Sequence, residues 1–232
     1  MKLFQLIFKR ETLVPTLALT FASVVCVVLV IGRMVWMRDT HFAFLIWNLF
    51  LAWLPMVFAL LAREHQQAGA SPGWRFFAFG AAWLLFFPNA PYIFTDIVHL
   101  SHYYSRFWPD LILILINALT GMVLGFVSLY LMQSAVRHMA GEWMSWLFIA
   151  AVAGLSGFGI CLGRFLRLNS WDVVAPGKMA HVIGLWAHET PVRYSIGFSI
   201  LFGAFLFVSY LMLYALTHLS PGKISPAAAK TS

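Results

Sequence analysis

The chain alternates long stretches free of Asp, Glu, Lys and Arg with short polar connectors. Six such stretches run from Thr12 to Gly32, Thr40 to Ala62, Phe76 to Thr95, Leu111 to Val136, Trp143 to Gly163 and Tyr194 to Gly222. A hydrocarbon core of about 30 Å takes roughly 20 helical residues at 1.5 Å each, so each stretch predicts a transmembrane helix. The third differs from the rest, because Pro88 and Pro91 fall inside its 20 uncharged residues between Arg75 and Asp96. Proline removes a backbone donor and disfavours helical geometry in the residue before it. The pattern therefore predicts helix as far as Phe87, then a turn through Pro88-Asn89-Ala90-Pro91. Irregular backbone at membrane depth persists only where protein or a watery cavity meets its polar groups, so the break is the first place to look for a binding site.

The remaining spans carry fewer polar marks. Asn48 in the second is a side chain that either hydrogen-bonds a neighbouring helix or takes part in a site. Trp108-Pro109-Asp110 predicts the start of the fourth span. Gly121-x-x-x-Gly125 in the fourth and Gly159-x-x-x-Gly163 in the fifth allow close backbone approach, either inside the chain or in a homodimer. After Pro176-Gly177, Met179, Val182, Ile183 and Trp186 share one side of a helical pattern, and Lys178, His181, His188 and Glu189 the other. This predicts an interfacial amphipathic helix near residues 177–189, either a surface anchor or a lid. Residues 1–232 read as a single membrane domain that ends in a disordered tail over 223–232.

Composition excludes a soluble fold: 62% of residues are hydrophobic, 10% are charged and the mean hydropathy is +0.84. The class is all-α, a polytopic integral membrane protein. The net charge of +7 sits at helix ends and in loops, which suits membrane lipids and not nucleic acid. Cys26 and Cys161 lie in apolar spans without metal-ligand spacing and read as buried packing. The basic residues Lys2, Lys9 and Arg10 precede an apolar run too long for a signal peptide, so the first span reads as a retained helix. With the N-terminus in the cytoplasm, eight Lys and Arg lie inside and seven outside, four of the seven in the loop after the fifth span. If those four serve a site, the remaining bias favours a cytoplasmic N-terminus. In either orientation the ends of the first, third and fifth spans share one membrane face.

Two stretches on that face carry the candidate chemistry. Asp96, His99 and His102 are spaced three apart beside the break, and Asn89 lies within it. Carboxylate and imidazole are the donor set of a divalent-metal site, although Asp-x-x-His is no specific signature. The same residues also suit an acid/base pair, or an interfacial segment among Tyr92, Tyr103, Tyr104 and Trp108. After the fifth span come Arg164, Arg167, Asn169, Ser170 and Asp172. Arginines here either snorkel to lipid phosphates or hold an anionic headgroup, and Arg164 is a natural ion-pair partner for Asp96.

The segments LIWNLFLAWLP, WLLFFPNAPYIFTDIVHL and GRFLRLNSWDVV, in this order, resemble the bacterial multi-pass membrane proteins grouped as domain of unknown function 1361. The resemblance implies a bacterial cytoplasmic-membrane protein and brings no catalytic residue with it. Three functional classes follow from the residues themselves. The first is an enzyme acting on a lipid-linked or phosphorylated amphiphile, with Arg164, Arg167, Asn89 and Asn169 binding and Asp96, His99 and Asp172 in acid/base roles. The second is a non-catalytic scaffold or assembly factor. The third is a small-solute transporter lined by the break.

Overall fold

The computed structural model describes residues 10–67, 73–100, 104–175, 177–178, 184 and 192–218. Among the described residues the chain is helical and has no strand. Six segments are long and apolar enough to cross a membrane, as the hydropathy pattern predicts. They are α1 (Arg10–Met37), α2 (Ala43–Gln67), a broken third span, α5 (Tyr104–Ala140), α6 (Glu142–Leu166) and α7 (Val192–Thr217). The third span consists of α3 (Trp74–Phe86), the single turn α4 (Asn89–Tyr92) and a 3₁₀ helix over Ile93–His99. Most of the predicted amphipathic helix, and the tail from 223 on, lie outside the described residues.

The break takes a different form from the expected turn. Phe87 (φ −55°, ψ −41°) and Pro88 (φ −59°, ψ −24°) keep right-handed helical angles, and Leu100 is the first residue to leave them (φ −61°, ψ 136°). Hydrogen bonding is what changes. Phe87 N–H still reaches the Trp83 carbonyl at 2.8 Å, whereas Ala90 N–H turns to the nearer Phe87 carbonyl at 3.1 Å; one α-type bond follows, Tyr92 N–H to the Pro88 carbonyl at 3.1 Å, and from Ile93 the chain tightens into 3₁₀ geometry. The two prolines cannot donate, and the β-branched Ile93, Thr95, Ile97 and Val98 weaken any return to α-helix. Packing overrides the steric preference of a residue before proline: Phe87 is buried against Trp83, with ring centroids 5.0 Å apart, and Ala90 is fully buried. With rises of 1.5 and 2.0 Å per residue, the span still covers roughly 40 Å.

Both glycine motifs face this segment. A Cβ on Gly121 would lie 2.7 Å from Ile93 Cδ1 and 2.8 Å from the Ala90 carbonyl, and one on Gly125 would lie 3.0 Å from Ala90 Cβ. From the other side, a Cβ on Gly159 would lie 3.1 Å from Pro88 Cγ and one on Gly163 would lie 3.3 Å from the Tyr92 ring. Here the motifs serve internal packing, seating the broken span between α5 and α6. Buried residues form two clusters. One gathers α1, the first half of α2 and the start of α5 around Ala90 and Ile93, and the other joins α3, α6 and α7 to the second half of α5.

The helix α5 starts at Tyr104 and carries Pro109 inside it, so it begins earlier than Trp108-Pro109-Asp110 predicts. Proline so near a helix start removes one terminal bond at small cost. Asp110, expected only as a helix start, is buried and paired with Arg33 of α1 through Nε–Oδ1 at 2.9 Å and Nη2–Oδ2 at 3.3 Å. The Arg33 guanidinium also lies 5.1 Å over the Phe42 ring, and together these contacts tie α1 to the bundle.

Gly121→Ala forces its methyl into Ile93 and the Ala90 carbonyl, and should destabilise the protein by about 1–3 kcal/mol. Gly154→Ala, whose Cβ meets nothing within 4 Å, should change stability by no more than about 0.5 kcal/mol. Thermal unfolding of the purified variants in one detergent checks the difference.

Candidate functional site

The site begins with Asp96. Its side chain is 2% exposed, a position too costly for a lone carboxylate in a bundle of apolar helices. Two neighbours compensate it. Asn48 Nδ2 of α2 donates to Oδ2 at 2.9 Å, and Arg164 Nη1 of α6 donates to Oδ1 at 3.3 Å. Tyr92 completes the group, with its hydroxyl 3.4 Å from Arg164 Nη1 and its ring 5.8 Å beneath the guanidinium. In a 3₁₀ helix side chains three apart eclipse, so Ile93, Asp96 and His99 form a straight row and not the slowly drifting face of an α-helix. Along this row Ile93 packs against Gly121 of α5 and Asp96 reaches Arg164. His99 is exposed and lies against Phe44 and His41, with centroids at 5.0 and 6.1 Å.

The turn after α6 closes over the break. Leu162 O accepts from the backbone N–H of both Arg167 and Leu168, so α6 ends with Arg167 in the left-handed region at φ 54°. Helices reach this ending most easily with glycine, and here the position is taken by an arginine whose side chain starts at the cavity rim. Asn169 and Asp172 then form a capping box on the following 3₁₀ turn, Ser170–Val174, in which Asn169 N–H donates to Asp172 Oδ2 at 2.8 Å. Lys178 Nζ reaches the other Asp172 oxygen at 2.6 Å. Ser170 bridges the turn to the break: its hydroxyl donates to the Leu85 carbonyl at 2.9 Å and accepts from Asn89 Nδ2 at 2.9 Å. Asn89 Nδ2 also donates to the Phe86 carbonyl at 2.9 Å. Side chains thus bind the backbone carbonyls that the break leaves exposed.

These elements surround a cavity of about 1100 Å³. Asn89, Asp96, His99, Arg164, Arg167, Asn169 and Asp172 all line it, which are the side chains singled out from the sequence apart from His102. His102 lies outside the described residues, and among those described no three His, Cys, Asp or Glu side chains gather as a metal site would need. Asn48, Tyr92 and Ser170 also line the cavity, though none was selected as a site residue from sequence. The signal for Asn48 was present. It lies just after the start of the second span, on the face where the first span ends, and is therefore level with Asp96.

Charge is unevenly satisfied. Arg164 balances Asp96, and Lys178 balances Asp172. Arg167 is exposed and has no described ion-pair partner, and Nη2 of Arg164 is buried without a hydrogen-bond partner among the described residues. Two guanidinium groups with unused donors therefore stand at one end of the cavity, while Leu51, Leu84, Leu155 and Phe158 line the other walls.

Fold and site together define a six-helix membrane protein whose broken third span buries a carboxylate against an arginine of the fifth. The chain belongs to the family described as Protein of unknown function (DUF1361), whose model matches residues 47–209. That range takes in every cavity-lining residue except Phe44. No curated protein and no solved structure matches the chain.

Removing one member of a buried pair strands the other. Arg164→Met should therefore cost about 3–5 kcal/mol, and adding Asp96→Asn should restore most of it. Additive losses in thermal unfolding would contradict the pairing. The Asn169 N–H, and after it Lys178, hold the Asp172 carboxyl below the usual carboxylate range. A lowered carboxyl contributes stability that is present above its unfolded value and lost as pH falls through the folded one. The turn should thus stay closed through neutral and mildly acidic pH, and Lys178→Met should raise the Asp172 midpoint in a carboxyl NMR titration.

Proposed function

We propose that this protein is an enzyme of the cell membrane acting on a lipid-linked or phosphorylated amphiphile at the face where its first, third and fifth spans end. The observation that carries this reading is the convergence of Asp96, His99, Arg164 and Arg167 on one cavity with polar and apolar walls. Arg167 and the unused Nη2 of Arg164 hold the anionic group, since guanidinium donors match phosphate or carboxylate oxygens. Asn89 and Asn169 fix the rim. Asp96 and His99, one 3₁₀ turn apart, act as acid and base once the ligand's anion draws Arg164 away from Asp96. Both Asp172 oxygens are engaged, which supports a positioning role and not proton transfer. With the N-terminus in the cytoplasm, the site opens on the opposite side of the membrane.

A scaffold reading draws support from the mutual pairing of Asn48, Asp96 and Arg164 and of Asn89 with Ser170, which would hold loops together without any chemistry.

The protein purified with its native lipids should carry a lipid phosphate, detectable by mass spectrometry and lost in Arg167→Ala, a variant that breaks no described contact. In proteoliposomes loaded with that lipid, Asp96→Asn should lower turnover by about 10²–10⁴-fold. Unchanged lipid occupancy in the arginine variant, or full turnover in the aspartate variant, would overturn the enzyme reading.

A further inference from the structure

The cavity has two chemically distinct limbs. At the membrane face stand Arg164 and Arg167. Towards the bilayer centre the walls become apolar, with Leu51 from α2, Ala81 and Leu84 from α3, and Leu155 and Phe158 from α6. This limb is a gap between helices. Among the closely packed pairs, α6 lies against α5 and α7, and α2 lies against α3 and α5; α6 is no close partner of α2, and it meets α3 at the stacked Trp83 and Phe148 rings, 5.8 Å apart and two turns of α6 deeper than Leu155. Where the break meets α6, the Pro88–Gly159 contact joins the two sides. Along the gap the side chains are open: Leu155 is 54% exposed, Phe158 49% and Trp47 52%, and Ala81 is exposed as well. In a membrane-spanning bundle, such a gap opens sideways into lipid.

We infer that this limb seats one hydrocarbon chain of the ligand, which enters laterally from the bilayer with its anionic head at Arg164 and Arg167. The inference rests on the reading of those arginines as the anion site and names the substrate class more narrowly: a long-chain amphiphile with a phosphate or similarly charged head, taken from the leaflet and not from water. Complementarity commits the gap to this occupant. An apolar helix would leave the arginines without an anion, and a free anion would leave the apolar limb unfilled. The dimensions agree. Leu155 and Arg164 are separated along α6 by roughly 13 Å, close to the depth of one leaflet in a core of about 30 Å. The order of the walls, charge at the face and hydrocarbon beneath, is also that of a lipid lying in its own leaflet.

The test uses full-length protein in nanodiscs with butyl, decyl and hexadecyl phosphate as probes, binding being read by native mass spectrometry. Hexadecyl phosphate should bind at least about tenfold more tightly than butyl phosphate, since each buried methylene adds to affinity. Leu155→Trp and Ala81→Trp fill the limb from exposed positions on opposite walls. Each should weaken the long-chain ligand about tenfold or more while leaving butyl phosphate within about twofold, burial being the term removed. Two variants guard against one failing to fold. Equal affinity for short and long chains, or long-chain binding indifferent to both tryptophans, would overturn the chain seat and leave the anion site standing. If no alkyl phosphate of any length binds, the anion site fails and the chain seat fails with it.

Discussion

A carboxylate buried among membrane helices is the constraint on which the rest of this structure depends. Asp96 must be ionised and compensated or else neutral, and the helices are arranged so that compensation arrives from two directions, Asn48 on α2 and Arg164 on α6. That requirement fixes the register of three spans at one membrane face. It also explains why the third span ends in 3₁₀ geometry. The tighter helix lines up Ile93, Asp96 and His99, so one element packs against α5, pairs with α6 and presents an imidazole near the surface.

Proline and glycine divide the work of placing that element. Pro88 and Pro91 change the hydrogen bonding without turning the chain away, and Gly121, Gly125, Gly159 and Gly163 supply the space into which the altered segment fits. Asn89 and Ser170 then satisfy carbonyls left by the break, in keeping with the rule that irregular backbone in a membrane must be met by protein. A larger residue at Gly121 or Gly125 would displace Ala90, and with it the path of the chain to Asp96. The two structural motifs and the candidate chemistry are therefore one assembly.

Much of this was legible in the sequence, for physical reasons. Uncharged stretches of helical length define six spans because hydrocarbon tolerates little else, and alternation across the membrane places the region of Asp96 and that of Arg164 on one face. Other features needed three dimensions. Local steric rules predict a turn at Pro88, and only the burial of Phe87 and Ala90 shows why helical angles persist. Asn48 is one polar residue in an apolar run, and a single span does not reveal its partner. Asp110 resembles an ordinary helix start until Arg33, 77 residues earlier in the chain, is seen against it. Asp172 has the composition of a catalytic acid, yet both its oxygens are committed to Asn169 and Lys178.

The proposed chemistry and the scaffold alternative both depend on the broken third span and α6 meeting through Asp96 and Arg164. Replacing those two residues with cysteine, in a chain whose buried Cys26 and Cys161 have been removed, and treating intact membranes with short thiol crosslinkers measures that contact directly. The account predicts an efficient intramolecular crosslink, detected by mass spectrometry of the joined peptides. Failure of every short reagent to join the two positions in folded protein would contradict it.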